Sequence, residues 1–561
     1  MIAHRGPISG IAAFGDTYVL TAGYDNQIIL WDMPSKTPIA RAWHDHLANQ
    51  VAFSPDGRLA VTSSSDYGAR LWALPDLRLI AVLADHTDDV EMSAFHPTRE
   101  LIATASRDHD VRVYDFHGGL VARFQGHTAD VISVEWSADA DELVSSSDDG
   151  TIKRWSLRSQ RLVTNLDMDG VETDTIAISS AGTIYAGNDE GQIIVVTDGG
   201  RTTLDAHDAG VKRVVLDDGR ALLVTLSYDR TMKLWNVADR EPVLVATADL
   251  PADVWPRSCA FAGDAHLVFA TFGATYRTYD HRTGEWLAEA VPPTGGVNAV
   301  LAGAASGVVT VGDAGIVRRD GSAIAETGSL CNFLVAVGDR VYTGGQLGKL
   351  FDAGTGAQVH QHRSPLNCGV QFVHDGRRHV LIGTYTGEGL LFEQTGDGLR
   401  HVSDLRLHAN AVKGVAESGG YLFSVCADTS ATWFRADDLQ PVATIEDAHH
   451  KIANGCAGLG DGYFASVSRD LLLRIWDPQQ RPTVIETPHD HSIKCVSASA
   501  DGRYVGTGGY HGRVCVYDRD SGSWVVDDRP TTAGISSMSY APALGRFLAG
   551  SYDGNVYQVG I

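Results

Sequence analysis

The sequence predicts an all-β fold assembled from about fourteen copies of one short unit, and three observations predict it. The first is recurrence. A segment ending in an aromatic residue returns along the whole chain: LTAGYDNQIILWD closes at Asp32, VTSSSDYGARLW at Trp72, ATASRDHDVRVYD at Asp115, VTLSYDRTMKLWN at Asn236, ASVSRDLLLRIWD at Asp477 and GTGGYHGRVCVYD at Asp518. Weaker copies such as YAGNDEGQIIVVTD and LAGSYDGNVYQV fill the gaps. From Trp31 to its last counterpart, Val559, there are 528 residues in thirteen intervals, a period of about 41. The second observation is local. ELVSSS, an Asp-Gly turn and TIKRW form a run of alternating apolar residues around a tight turn, which is a hairpin signal. The third is that no stretch sustains a helical period.

Composition narrows the function. The chain has 561 residues, too many for one hydrophobic core. It is 44% hydrophobic and 20% charged, the balance of a folded chain, and its 60 glycines suit many tight turns. The formal charge of −24 repels phosphate backbones, so no nucleic-acid partner is expected and basic protein surfaces are favoured. The start, MIAHRGPISGIAAF, lacks a charged region followed by a long apolar run, so neither a secretory signal nor a membrane partner is expected. Cysteines at 259, 331, 368, 426, 456, 495 and 515 form no CxxC pair, which fits small core thiols in a reducing, cytoplasmic setting. Arginine outnumbers lysine 37 to 8, a bias of high-GC bacterial genomes.

The stretch GHTADVISVEWSADADELVSSSDDGTIKRW, Gly126–Trp155, holds His127, Ser145 and Asp149, the residue types of a hydrolytic triad. The same set recurs, however. A Ser or Thr precedes an Asp by four, and the Asp precedes an aromatic by six, in His4/Thr21/Asp25/Trp31, His44/Thr62/Asp66/Trp72, His86/Thr104/Asp108/Tyr114, His127/Ser145/Asp149/Trp155 and His207/Thr225/Asp229/Trp235. A catalytic set occurs once per site; one repeated at fixed spacing is architectural.

With this motif the chain resembles the WD40-repeat family over essentially its whole length. The resemblance implies that each His/Ser-or-Thr/Asp/Trp set is a buried hydrogen-bonded network, and that the copies are blades of β-propellers. Seven blades is the usual ring, so fourteen copies imply two tandem seven-bladed propellers, residues 1–291 and 292–561, joined at the Pro/Gly break VPPTGG. The last copy ends at its third strand, and residues 1–4 are a candidate closing strand for it. In the second half His449/Ser466/Asp470/Trp476 keeps the full set. His408/Ser424/Asp428 ends in Phe434. In His489/Thr507/Tyr517, His511 stands in the Asp place, a candidate pH-sensitive pair.

Other motifs are weaker. HDH at 44–46 and 489–491, HQH at 360–362 and HH at 449–450 suggest zinc, but a site needs three or four converging ligands, so no metal is expected. DHRTGEW, DAGTG and DRDSG resemble turns of quinone-cofactor propellers yet suit ordinary strand turns, so no cofactor is expected. TGGQLGKL lacks the Ser/Thr and the helix of a phosphate loop. No catalytic set converges, so no enzyme is expected.

Family function implies binding around the central channel, at the residues three and five after the network His. These are Asp89, Glu91, Asp130, Lys212, Trp255 and Arg257 in the first ring, and Leu330, Leu366, Lys413, Ile452 and Lys494 in the second. Trp and Arg are enriched in binding hot spots. The expectation is a non-enzymatic adaptor that organises a cytoplasmic multiprotein assembly, such as a bacterial signalling or defence system, with the first ring favouring a basic segment. The alternative is a reader of a small ligand or modified basic peptide at the channel mouth.

Overall fold

The computed structural model describes residues 2–137, 141–239, 241–303, 307–396 and 398–561. The fold is all-β, with one short 3-10 turn, Asp218–Arg220, among the described residues. Thirteen sheets have four antiparallel strands in sequence order, from Ile8–Trp43 (blade 1) to Ile493–Asp528 (blade 13). The last, Ile535–Val559 (blade 14), has three. Contacts divide the chain into two compact units, Met1–Thr294 and Gly295–Ile561, of seven sheets each.

The strand pattern explains the packing. Second strands such as Leu143–Ser147 are buried on both faces, whereas fourth strands such as Arg161–Asp167 alternate exposed and half-buried. The second strand must therefore lie between neighbouring sheets, and the core is split accordingly into clusters that each span two adjacent blades. Leu20, Ile28, Val51 and Trp72 join blades 1 and 2; Val113, Phe124, Leu143 and Trp155 join blades 3 and 4. Tyr185, Val195, Leu223 and Trp235 join blades 5 and 6. In the second unit Phe333, Leu350, Ile382 and Phe392 join blades 9 and 10, and Phe423, Trp433, Phe464 and Trp476 join blades 11 and 12.

Each unit closes into a ring without exchanging a strand, since every sheet is contiguous in sequence. In the first unit, Ile8, Ile11 and Trp31 of blade 1 pack on Ala262, Val268 and Tyr276 of blade 7, and Ile11 N–H donates to Ser258 Oγ at 3.1 Å. In the second, Val300 of blade 8 packs on Ala541 and Leu548 of blade 14. Three serines of blade 14 complete that seam: Val300 N–H donates to Ser537 Oγ (3.2 Å), Ala302 N–H to Ser539 Oγ (3.1 Å), and Ser536 Oγ–H to Val297 O. Closure of this kind removes the open sheet flank that a partial ring would leave.

The expectation that residues 1–4 close blade 14 is not met. Met1 lies outside the described residues. Ile2 packs in the blade 1–7 cluster, and His4 N–H donates to Ala274 O at 3.1 Å, so this segment belongs to the first unit. Among the described residues the outer flank of blade 14 carries no fourth strand.

The closing seam yields a test. A Cβ on Gly550 would meet Val297 Cγ1 at 2.9 Å, so Gly550→Val should lower the stability of the second unit by roughly 1–3 kcal/mol in denaturant unfolding, the usual result of overpacking. Gly560→Ala, where nothing lies within 4 Å, should leave it unchanged.

Candidate protein-interaction faces

The recurring polar set forms a complete buried chain of hydrogen bonds in blades 1, 2, 4 and 6. In blade 4, His127 Nδ1 donates to Asp149 Oδ2 at 2.8 Å, the Ser145 hydroxyl lies 2.8 Å from His127 Nε2, and Trp155 Nε1–H donates to Ser145 Oγ at 2.8 Å. The carboxylate fixes the tautomer, leaving Nε2 to accept from the serine. Blades 1 and 2 repeat this geometry with Thr21 and Thr62. In blade 6, His207 bonds Asp229 at 2.9 Å and Thr225 at 2.8 Å, and Trp235 Nε1–H donates to Thr225 Oγ1 at 3.0 Å. Blade 12 repeats the serine part with His449, Ser466 and Trp476. Ser145 is fully buried, and its hydroxyl is engaged by both His127 and Trp155.

The Asp has a second task. Asp25, Asp66, Asp149 and Asp229 each accept the N–H two residues on, at 2.8–3.2 Å, and the residue between them is left-handed: Asn26, Tyr67, Gly150 and Arg230. One side chain thus pins the hairpin turn and orients the histidine. Burial pushes these carboxyls up, but the histidine bond and charge prevail and hold Asp66 and Asp229 down at about 2.

Other blades depart from the pattern in specific ways. In blade 3, Thr104 is fully buried and its hydroxyl lies 2.7 Å from His86 Nε2, as expected. The expected fourth member is missing there. Tyr114 replaces the indole and leaves its hydroxyl without a hydrogen bond among the described residues, so Thr104 receives no bond from it; Thr104 keeps the contact with Arg112 O at 3.4 Å that Thr21 and Thr62 make to Ile29 O and Arg70 O in blades 1 and 2. The physical reason is that a phenol carries its polar atom at the ring's tip, whereas an indole carries it on the side. Arg112 also joins Asp108 at 2.6 Å. In blade 12, Arg474 bonds both His449 Nδ1 and Asp470 at 2.8 Å, and Asp470 stands 3.7 Å from the histidine. In blade 11, Ser430 takes the place opposite His408 Nδ1, at 2.8 Å. In blade 13, His511 does not bond His489. It turns to Asp490 at 3.5 Å, and its ring lies 4.4 Å from that of His491. The expected histidine pair inside that network is therefore absent, because an imidazole is too large to replace the short Asp of the turn. Thr104 and Trp235, like the other His, Ser/Thr and aromatic members of these sets, are buried in the blades, and the Asp members are half-buried.

A backbone bond common to all fourteen blades builds the channel mouth. The N–H of the residue before the turn Asp position donates to a carbonyl just ahead of the inner strand: Tyr24 to Pro7, Arg107 to Asp89, Asp148 to Asp130, Tyr228 to Gly210, Gln346 to Leu330, Arg469 to Ile452, and so on, at 2.8–3.3 Å. Two residues later most inner strands carry a bulge, where two residues face one. The bulged residues include Glu91, Lys212, Lys413 and Lys494. Blade 7 enlarges its bulge to Trp255–Ser258, between the pairs Val254↔Thr271 and Cys259↔Phe269.

These features place the eleven sequence-predicted binding residues. Asp89, Asp130, Leu330 and Ile452 supply the mouth carbonyls, and Leu366 lies in the core of the second unit. Trp255 is 7% exposed, packed on Tyr24 edge to face (5.2 Å) and on Phe272 (5.4 Å), with the Arg257 guanidinium 5.6 Å over its ring. Sequence reasoning missed the donors of the backbone bond, among them Arg107, Asp148, Asp189 and Tyr228. Their signal was constant: each directly precedes the turn position.

In the first ring these missed residues organise the charge. Arg107 joins Glu91 and Asp130 at 2.5 Å each, and Arg257 joins Glu91 at 3.0 Å. Lys212 joins Asp174 at 2.5 Å and also Asp189, with its ammonium 5.1 Å over Tyr228. Asp89, Asp148 and Glu172 lie in the same sector. Burial, with Asp189 and Asp174 nearby, pushes Glu172 up to about 8, and burial beside Glu172 and Asp130 pushes Asp148 well above the carboxylate range. The second ring differs: Lys413 lies 4.9 Å over Tyr385, and Lys494 lies 6.0 Å over Tyr510, whose ring stacks on Tyr552.

Sheets in sequence order, closed seven to a ring around bulged inner strands, define a β-propeller protein. Six segments of the chain, residues 1–32, 39–73, 77–115, 118–156, 201–236 and 481–518, match the WD domain, G-beta repeat, so WD40 repeats are found in both units. Most matched segments run from the outer strand of one blade to the third strand of the next. Blade 13 is matched although its network is altered, and blade 12 is not. The chain is 26% identical over 235 residues to the target of rapamycin complex subunit wat1 of Schizosaccharomyces pombe, covering 39% of this chain and 74% of that one. It is 31% identical over 164 residues to the human WD repeat-containing protein 37 (28% and 33%), and 30% over 162 residues to the transcription initiation factor TFIID subunit 5 of Caenorhabditis elegans (28% and 25%). The chain thus spans only a third or less of the length of the last two. No helix among the described residues is long and apolar enough to cross a membrane.

Two pH effects follow. Burial pushes His408 and His489 down to about 4, so they stay neutral in the fold but charge near 6.5 when unfolded. Their stabilisation is complete above about pH 6.5 and is lost as pH falls towards 4, at about 1.4 kcal/mol per pH unit for each. A flat unfolding midpoint of the second unit over that window would contradict this. Glu172 has the opposite sign. Its folded value lies above the unfolded one, so its contribution is present in acid and lost as pH rises from about 4.5 through 8. Glu172→Gln should gain on the parent protein between pH 6 and 8, by up to about 1.4 kcal/mol per unit in denaturant titrations.

Proposed function

We propose that this protein is a non-enzymatic scaffold whose two rings hold different protein segments, the first favouring a basic one, in a cytoplasmic multiprotein assembly. The supporting observation is the contrast between the mouths: a carboxyl-rich sector around Arg107 and Lys212 in one, and lysines over tyrosines in the other. Complementary potential steers partners and excludes wrong ones. Two of the similar proteins are named as subunits of a target of rapamycin complex and of TFIID, which supports work inside an assembly. The seven unpaired cysteines support a reducing compartment. The arginine bias supports a bacterial setting, whereas the three named relatives are eukaryotic. The small-ligand alternative is less well supported, since Trp255 and Tyr24 are packed on each other rather than open as a cage.

The test uses the tagged full chain as bait in its own cells, with captured proteins identified by mass spectrometry. Asp130→Asn with Glu172→Gln should lose one set of partners, and Lys413→Gln with Lys494→Gln another, with losses of about tenfold or more. Loss of the same set by both double variants, or of none by either, would overturn the reading.

A further inference from the structure

Blade 11 differs from the regular blades at one more polar position. In blades 2, 3, 4, 6 and 12 a serine stands two residues before the turn Asp, and its Oγ accepts the N–H of that Asp: Ser64, Ser106, Ser147, Ser227 and Ser468, at 3.0–3.1 Å. Blade 11 has Cys426 in this place, fully buried and in no disulfide. The exchange brings three different metal-binding groups together. Cys426 Sγ, an imidazole nitrogen of His408 and a carboxylate oxygen of Asp428 all lie within 4.8 Å of one another. His408 and Cys426 are buried, whereas Asp428, on the turn, is open to solvent. The loss of the indole also frees the histidine. In blade 4, Ser145 accepts Trp155 Nε1–H, and His127 gives its Nδ1 proton to Asp149. In blade 11, Phe434 has no N–H to give. Ser424 Oγ, 2.8 Å from His408 Nε2, can therefore accept the Nε2 proton and send its own hydrogen to Thr432 O at 3.4 Å. Nδ1 then carries the lone pair, on the side of Ser430. Asp428 does not hold that nitrogen itself. Its Oδ1 accepts Ser430 N–H at 2.9 Å and the Ser430 hydroxyl at 2.6 Å, which leaves Oδ2 for another partner.

We propose that His408, Cys426 and Asp428 bind a zinc ion in blade 11. Zinc accepts imidazole, thiolate and carboxylate ligands in one tetrahedron, and a water fills the fourth place where the protein supplies three. Calcium and magnesium take oxygen ligands and would leave the thiol unused. Zinc bonds of about 2.0–2.3 Å set ligand atoms about 3.5 Å apart, so the cluster closes on the ion by shifts of about 1 Å. Ser424 orients the ligating imidazole by accepting its other N–H. Coordination requires the thiolate: the Cys426 S–H bond breaks, its proton leaves to solvent and a Zn–S bond forms in its place. The ion would tie the loop before the inner strand, the second strand and the turn, points that the indole-containing network ties in blade 4. The site is independent of the charge at the first mouth and of any bound protein segment.

The experiment titrates the full chain, stripped of metal and kept reduced, with cobalt(II) and then with zinc. Bound cobalt should show thiolate-to-cobalt charge transfer in the near ultraviolet and the strong visible bands of a tetrahedral ion, and zinc should bleach both. Sites made of histidines and carboxylates alone give no thiolate band. Cys426→Ser restores the residue that other blades carry, so the blade keeps its turn. It should abolish the charge-transfer band and weaken zinc binding about a hundredfold in competition with a chromophoric chelator. Asp428→Asn should keep the band and weaken zinc about tenfold. Cys495→Ser, at a thiol outside the cluster, should leave band and affinity unchanged. Thermal unfolding of each variant verifies that the rings are intact. No thiolate band in the parent protein, a band that persists in Cys426→Ser, an equal loss in Cys495→Ser, or undiminished zinc affinity in Asp428→Asn would overturn the site.

Discussion

One backbone hydrogen bond underlies both the architecture and the candidate binding face. In every blade the N–H before the turn donates to a carbonyl at the entry of the inner strand. It needs no particular side chain, only the β-geometry of the two strands. It therefore survives in blades 8 to 10, where the His/Ser-or-Thr/Asp/Trp chain is missing. The same bond presents two side chains per blade, that of the donor and that of the acceptor, beside the channel. The scaffold is thus fixed by main chain while the mouth is free to vary, which is how Arg107, Asp148 and Tyr228 come to share one position in blades 3, 4 and 6.

The buried polar chain adds specificity where it occurs. It links the loop before the inner strand (His), the second strand (Ser or Thr), the turn (Asp) and the third strand (Trp), so it ties four points of a sheet that hydrogen-bonded ladders alone do not fix. Its indole also packs into the interface with the preceding blade, as Trp155 does beside Phe124 and Trp235 beside Tyr185 and Val195. Where the indole is lost the second unit keeps apolar contacts by other means, such as Phe392 between blades 9 and 10. Ring closure follows the same economy. The seams are made by apolar side chains and serine hydroxyls, with no strand borrowed from elsewhere, so each unit depends on a few small residues such as Gly550 and Ser536.

Charge is where the two units diverge. In the first, Glu91, Asp130, Asp174 and Asp189 pair closely with Arg107, Lys212 and Arg257 around the mouth. In the second, tyrosine rings accompany Lys413 and Lys494, a surface of different chemistry on the same frame.

Much of this was legible in the sequence because it repeats. A period of about 41 residues, an Asp four after a Ser or Thr, and an aromatic six later determined the strand order, the number of blades and the register of the polar positions, since hydrogen-bonding side chains must recur at fixed register in a periodic fold. The sequence could not decide which way a side chain turns once its register is set. Trp255 and Glu91 sit at the mouth in register, but the long bulge of blade 7 and the Arg107 bridge bury them. Thr104 holds its histidine but gets no bond from Tyr114. Leu366 belongs to the core, and His511 turns from its network to Asp490. Residues 1–4 read as a spare strand, yet His4 is held on Ala274. Some of these outcomes are settled within one blade, as for Glu91 with Arg107 and His511 with Asp490, but Trp255 on Tyr24 and His4 on Ala274 join residues more than 200 apart, which only the closed ring brings together.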